Sequence, residues 1–152
     1  MILSREVCFD ANVFVSSLIK KEPHYEDSLQ AMTVVQKEEM VLFEPEVVLF
    51  EFGTAMHRKK KVGDIDDSDR DHLIELFFKL PLLFLWEPSL MQRASFLAQQ
   101  LSFRGLSDCL YIAVAERKNI PLVTLDEDLM RRGRKFYKKI YSVAEFLNSI
   151  TF

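Results

Sequence analysis

Four acidic residues stand beside apolar stretches of this sequence, where an ionised carboxylate is costly to bury. Asp10 follows the apolar run VCF at residues 7–9, and Asp126 closes the run IPLVTL at residues 120–125. Glu51 and Asp108 stand at helical spacing from apolar residues, which places both on apolar helix faces. Each such carboxylate can bind a cation, but Asp10 alone also suits a turn or helix cap, and Asp108 alone suits the positive end of a helix.

Carboxylates held close together raise one another's pKa unless protons or cations neutralise them. The sequence contains no GxSxG nucleophile motif, no P-loop and no glycine-rich dinucleotide motif, and zinc spacing is absent from its three histidines, His24, His57 and His72. Oxygen ligands alone favour Mg²⁺ or Mn²⁺. Such a site suits a phosphodiester substrate, because the ion activates water while basic side chains hold the flanking phosphates.

Basic residues are concentrated in two segments although the net charge is −3. Residues 131–139, RRGRKFYKK, hold six cations and no acid, and residues 58–61 read RKKK. An acidic protein with such segments can still attract a polyanion locally. We expect Arg131, Arg132 and Arg134 to guide the substrate, with plain solvated surface as the alternative. Asp128 is either a further acid at the rim or a helix cap, and the cap is favoured.

Short apolar segments alternate with amphipathic ones along the chain, which predicts strands alternating with helices. The predicted strands are residues 6–10, 40–44, 82–86, 120–126 and 139–143, and the predicted helices are residues 12–20, 24–38, 45–61, 68–78, 88–103, 108–118 and the segment after Ser142. Residues after Asp126 are expected to form a basic loop. Helix caps are expected at Ser68, Ser107 and Ser142. Leu29, Met32 and Val35 belong either to the core or to a dimer interface.

This alternation is typical of the α/β class and predicts one domain over residues 1–152, with a central, mostly parallel sheet flanked by helices. Ligands of such sheets bind beyond the carboxyl ends of the strands, where Asp10 and Asp126 stand. The sequence has no apolar run long enough to span a membrane and no signal peptide. Cys8 and Cys109 lie in apolar runs without metal-binding spacing, so we expect buried free thiols and a cytoplasmic protein.

Four segments resemble the acidic motifs of the PIN domain family, in the usual order: FDANVFVSSL, EPEVVLFEFGTAM, LSDCLYIAVAE and IPLVTLDEDL. The resemblance spans residues 6–146 and is closest to the VapC type, the toxin ribonucleases of toxin–antitoxin pairs. It implies that the catalytic, metal-binding acids are Asp10, Glu51, Asp108 and, as the fourth, Asp126. Asn12 and Thr124 match small polar residues that support these acids, and we group both with the substrate-binding residues.

The resemblance implies endonucleolytic cleavage of RNA by a water that Mg²⁺ or Mn²⁺ activates. It also implies a homodimer and a VapB-type antitoxin whose tail blocks the site. The alternatives are an RNA-processing nuclease without an antitoxin and a non-catalytic PIN-like module that binds RNA or protein. Four acids at the motif positions favour the enzyme over the binding module. A phosphatase with an aspartyl nucleophile is disfavoured, because such enzymes usually place a second acid two residues on, where this chain has Asn12.

Overall fold

A five-stranded, wholly parallel sheet forms the centre of the computed structural model, which describes residues 4–103 and 105–150. The elements are β1 (Glu6–Phe9), α1 (Ala11–Leu18), α2 (Tyr25–Lys37), β2 (Val41–Glu44), α3 (Val47–Lys61), α4 (Asp67–Phe78), β3 (Leu82–Phe84), α5 (Pro88–Leu101), α6 (Ser107–Lys118), β4 (Leu122–Thr124), α7 (Glu127–Gly133), β5 (Ile140–Ser142) and α8 (Val143–Ser149). The strand order is β3-β2-β1-β4-β5. The predicted α/β fold with helices flanking a parallel sheet is confirmed.

Strand order places β1 and β4 side by side in the middle of the sheet. Phe9 pairs with Val123, and the Asp10 amide donates to the Val123 carbonyl at 2.9 Å. Both strands are almost entirely buried, as expected of strands covered by helices on both faces. Because they are parallel, the residues that follow them emerge at the same edge of the sheet.

Phenylalanines hold the helices that carry the acids. Phe52 of α3 stacks on Phe77 of α4 with ring centroids 4.2 Å apart, and Phe14 of α1 meets Phe77 edge-on at 5.2 Å. All three side chains are buried, and each such burial stabilises the fold by about 1.5–3 kcal/mol. This cluster fixes α1 and α3 relative to each other.

The segment after Asp126 begins with helix α7, not with the basic loop that the sequence suggested, whereas residues 134–139 are non-helical. Asp126 is its N-cap, and its Oδ1 accepts from the amides of Asp128 at 2.9 Å and Leu129 at 3.1 Å. Asp128 is therefore not the cap. Its carboxylate lies in the first turn and accepts from Arg131 at 2.6 Å and Arg132 at 3.1 Å. These i,i+3 and i,i+4 pairs stabilise the helix around its two adjacent arginines.

Two predicted caps are wrong and one is confirmed. Helix α4 is capped by Asp66 rather than Ser68, in a reciprocal capping box with Asp69. Ser107 is the first residue of α6, not its cap. The side chain of Ser142 accepts from the Glu145 amide at 3.0 Å, as expected.

The early helix α2 contributes to the core. Met32 and Val35 are buried, whereas Leu29 is 39% exposed. Cys8 and Cys109 are buried free thiols, as predicted. Among the described residues, no helix has both the length and the apolar character needed to cross a membrane.

Candidate functional site

Asp10 lies immediately after β1 and is only 6% exposed. It occupies the N-cap position of α1, yet its side chain makes no capping hydrogen bond. Its Oδ2 instead accepts from the Thr124 hydroxyl at 2.7 Å and from the side-chain amide nitrogen of Asn12 at 3.2 Å. The structural explanation of Asp10 as a helix cap is therefore wrong.

Asn12 and Thr124 hold Asp10 in place through further bonds. The Asn12 side-chain oxygen accepts from the Leu125 amide at 3.2 Å, which ties α1 to the end of β4. The Thr124 hydroxyl accepts from the Asp126 amide at 3.0 Å while it donates to Asp10. Both side chains thus have protein partners and act on the carboxylate of Asp10.

Glu51 reaches the same region from α3, and Tyr111 fixes its position. The Tyr111 hydroxyl donates to Glu51 Oε1 at 2.6 Å, and the tyrosine is completely buried. Burial, followed by the negative charges of Asp10, Glu51 and Glu44, raises the pKa of Tyr111. The phenol therefore keeps its proton and remains a donor to the glutamate.

A cavity of about 400 Å³ brings together the four acids that the motifs singled out. Asp10 follows β1, Asp126 follows β4, Glu51 projects from α3 and Asp108 projects from the first turn of α6. Asn12 lines the same cavity. Four distant parts of the sequence thus meet at the carboxyl edge of the sheet.

Mutual repulsion is evident in the pKa values of two of these acids. Burial raises the pKa of Asp10 to about 7; the Thr124 bond opposes this rise, and the charges of Asp108, Glu51 and Asp126 add to it. Burial and the charges of Asp126, Glu51 and Asp128 raise the pKa of Asp108 to about 6. Such shifts by burial and like charges are typical of functional sites, because a structural role does not require the acids to cluster.

The family model of the PIN domain matches residues 7–135. The chain belongs to the PIN domain family. The predicted resemblance is thereby confirmed over most of the sequence. In a comparison with curated proteins, no significant match is found.

Several solved structures share the fold of this PIN domain. PAE2754 from Pyrobaculum aerophilum is 19% identical, with a TM-score of 0.69 and coverage of 94% of this chain and 93% of that one. VapBC2 from Rickettsia felis, bound to a DNA fragment from its promoter, is 15% identical, with a TM-score of 0.63 and coverage of 90% and 98%. VapC20 from Mycobacterium tuberculosis, a sarcin–ricin loop cleaving toxin, is 12% identical, with a TM-score of 0.60 and coverage of 84% and 95%. At these identities the likeness establishes a common fold.

The four acids of this PIN domain offer only oxygen ligands, which suit Mg²⁺ or Mn²⁺. Within the described residues, no group of three or more Asp, Glu, His or Cys side chains is arranged closely enough to hold a metal ion as it stands. Mg²⁺ is usually bound by one or two carboxylates while it keeps several waters, so an open arrangement fits that ion. A divalent cation would also offset the burial and the repulsion that together raise the pKa values of Asp10 and Asp108.

The three arginines that were expected to guide the substrate lie outside this cavity. Arg131 is the most exposed of the three arginines, with 71% of its side chain accessible. Arg132 donates to the Leu101 carbonyl at 2.8 Å, and Arg134 donates to the Ile140 carbonyl at 2.9 Å. None of the three lines the cavity. Arg132 and Arg134 thus anchor α7, and Arg131 is the one most available to a ligand.

The sequence interpretation overlooked Glu44. This acid is the last residue of β2, much as Asp10 is the first residue after β1. Glu44 is completely buried, and its Oε1 accepts from the Phe9 amide at 2.7 Å. Its Oε2 lies 3.6 Å from Cys8 Sγ, which donates to it. Burial raises the pKa of Glu44 well above its usual value, and the charge of Asp10 adds to that rise. The sequence did contain a signal for Glu44, because this acid is the last residue of the strand predicted at residues 40–44.

Proposed function

We propose that this PIN domain is an endoribonuclease that depends on Mg²⁺ or Mn²⁺. The observation that carries the proposal is Asp10, a buried carboxylate that does not cap its helix and faces one cavity with Glu51, Asp108 and Asp126. Membership of the PIN family and the similar fold of VapC20, a toxin that cleaves the sarcin–ricin loop, support RNA as the substrate.

The chain's own residues have separable roles in this proposal. Asp10, Glu51, Asp108 and Asp126 would hold the ion. Asn12 and Thr124 orient the carboxylate of Asp10, and Tyr111 orients that of Glu51. When bound, the ion supplies Lewis acidity and lowers the pKa of water. Arg131 attracts the RNA backbone from outside the cavity. Arg132 and Arg134 contact RNA, in this proposal, only where it passes over the surface beside α7.

A divalent-ion titration followed by calorimetry and NMR tests the metal site without knowledge of the RNA target. Asp108→Asn should weaken Mn²⁺ and Mg²⁺ binding, because it removes one of the four carboxylates. The protein should stay folded, because the change also removes a charge that the neighbouring acids repel. Asp27→Asn is the matched control, since Asp27 is an exposed acid in the first turn of α2. Equal ion binding by the wild type and Asp108→Asn, or none in either, would contradict the proposed site.

Cleavage of closed circular RNA tests the reaction itself, because only an endonuclease can linearise a circle. The wild type and Asp27→Asn should cut a mixture of circularised tRNA and ribosomal RNA fragments in Mg²⁺. Chelation by EDTA and the Asp108→Asn change should both abolish cutting. RNA binding with intact circles under all conditions would instead favour the non-catalytic module.

We further propose that the protein acts in the cytoplasm as the toxin of a toxin–antitoxin pair, with a VapB-type antitoxin. The similar folds of VapC20 and of VapC within the VapBC2 complex support this assignment. Induced expression should arrest bacterial growth for the wild type and not for Asp108→Asn. Unchanged growth together with RNA cleavage would favour an RNA-processing nuclease without an antitoxin.

A homodimer is also proposed, and exposed apolar side chains support it. Phe50 of α3 is 78% exposed and Trp86 is 50% exposed, and an apolar pocket between α3, α5 and α6 includes Val47, Met91 and Trp86. Sedimentation should show a dimer that Phe50→Glu shifts toward the monomer. A wild type that sediments as a monomer would contradict this part of the proposal.

A further inference from the structure

One face of α3 joins the acidic site to a lysine. Glu51, Ala55 and Lys59 follow one another at a spacing of four residues, and all three line the same cavity. A helix rises 1.5 Å per residue, so the Cα atoms of Glu51 and Lys59 lie about 12 Å apart along its axis. The cavity therefore has an acidic end at the carboxyl edge of the sheet and a far end beside Lys59.

Lys59 is held by a carboxylate in the free protein. Its ammonium group forms a close ion pair with Glu22, from the connection between α1 and α2, and lies 3.7 Å from Asp64. The side chains of Lys59 and Glu22 are 28% and 19% exposed. Among the described residues that line the cavity, Lys59 is the single lysine or arginine.

A polar group without a hydrogen-bond partner among the described residues lines the same cavity. Ser16 of α1 is 3% exposed, lines the cavity, and its hydroxyl makes no hydrogen bond among the described residues. A buried hydroxyl normally finds a partner, because an unmade hydrogen bond costs free energy. A hydroxyl and an ammonium group facing one cavity are together suited to the oxygens of an anion.

A polyanion approaching this cavity meets the repulsion of the four carboxylates. A lysine ammonium is a compact charge with three donors, and charge-assisted bonds to phosphate are among the stronger hydrogen bonds. The Glu22 carboxylate occupies the position beside Lys59 that a phosphate oxygen would take. Exchange of one anion for the other keeps the lysine paired throughout.

We propose that Lys59 and Ser16, which line the same cavity, form a subsite for an RNA phosphate away from the four acids, and that Glu22 masks this subsite until RNA displaces it. This inference rests on the proposed ribonuclease function. It adds a place on the protein that holds the RNA strand beyond the cleaved bond. Lys59 touches substrate in this scheme, whereas Glu22 competes with substrate.

Salt-dependent RNA binding tests the subsite. Fluorescent oligouridylate is titrated in Mg²⁺ with the Asp108→Asn protein as the parent, so that binding is measured without cleavage. Adding Lys59→Gln should weaken binding and reduce the slope of log affinity against log salt by about 0.7, the value for one phosphate contact on a single strand. Adding Glu22→Gln should strengthen binding, because it removes the closer of the two carboxylates that pair with the lysine and leaves only the longer contact to Asp64.

The pair formed by Lys118 and Glu6 provides the matched control. Its atoms lie 3.6 Å apart, its side chains are 30% and 39% exposed, and Glu6 begins β1 at the opposite edge of the sheet from the cavity. Lys118→Gln and Glu6→Gln should leave both affinity and slope unchanged. Circular dichroism on every variant checks the fold.

The opposite signs expected for Lys59→Gln and Glu22→Gln distinguish a subsite from a structural ion pair. If both changes leave RNA binding like the Lys118 control, or both weaken it equally, the subsite is refuted and the pair only ties α3 to the α1–α2 connection. If the wild type cuts circular RNA but the parent shows no salt-dependent RNA binding, the subsite alone is refuted. If the wild type also leaves the circles uncut, the ribonuclease function fails, and the subsite fails with it.

Discussion

Replacement of Glu44 by Gln should flatten the pH dependence of the protein's stability. Glu44 is completely buried, and its pKa is raised by burial and by the negative charge of Asp10, while the Phe9 amide and Cys8 thiol oppose the rise. Gln preserves the size of the side chain and an oxygen that can accept from the Phe9 amide, but it does not titrate.

The sign of the effect follows from proton linkage. Above the usual glutamate pKa of 4.5, Glu44 loses its proton in the unfolded chain while the folded protein retains it. The folded state then binds more protons, so the free energy of unfolding falls as pH rises, until the raised folded pKa is reached. One proton accounts for a slope of about 1.4 kcal/mol per pH unit over the interval between the unfolded and the folded pKa.

Urea denaturation in EDTA at several pH values measures this slope. The free energy of unfolding of Glu44→Gln should fall less steeply than that of the wild type across the interval. Glu46→Gln, a change on an exposed side chain two residues further on, should follow the wild type. Parallel curves for Glu44→Gln and the wild type would show that Glu44 is ionised when folded, and the reasoning from its burial would be wrong.

Three further predictions concern individual contacts. A Cβ at Gly133 would lie 2.7 Å from Ile140 Cδ1, so Gly133→Ala should cost about 1–3 kcal/mol. Gly53 of α3 has open space around it, so Gly53→Ala should stabilise the protein by up to about 1 kcal/mol. Thermal unfolding of the two variants compares these effects. Asp126→Ala should cost about 1 kcal/mol because α7 loses its cap, while Asp126→Asn should keep the cap and still weaken Mn²⁺ binding by calorimetry. Tyr111→Phe removes a bond to a carboxylate and should cost about 1.5–3 kcal/mol in urea denaturation, with weaker Mn²⁺ binding; unchanged values in both assays would contradict its positioning role.

Local patterns predicted most of the fold. Alternation of short apolar runs with amphipathic segments gave the strands and seven of the helices, because burial on both faces and helical periodicity leave direct marks in a sequence. Helix α7 was missed, since its stabilising contacts are the cap of Asp126 and ion pairs with Asp128 that are evident only once the backbone is helical. The Ser68 cap failed because neighbouring acids offered a competing register for the same capping box.

The candidate site divides in the same way. Asp10 and Asp126 could be placed at the same edge of the sheet from sequence, because parallel strands all end at one edge. That their two strands are neighbours is evident only from the structure. The apolar faces around Glu51 and Asp108 indicated that these acids point inward. Their meeting place in the cavity depends on how α3 packs against α1 and α4 and how α6 packs on the sheet.

The sequence by itself determined the residue types, the family motifs and the edge of the sheet where the acids belong. Only the tertiary structure decided which groups hold them: the hydroxyl of Tyr111 on Glu51, the pairing of Lys59 with Glu22, and the burial of Glu44 against β1. Each of these contacts joins residues far apart in the chain. Hydrogen bonds and ion pairs depend on distance and direction within a few tenths of an ångström, and only the packing of the helices on the sheet sets those quantities.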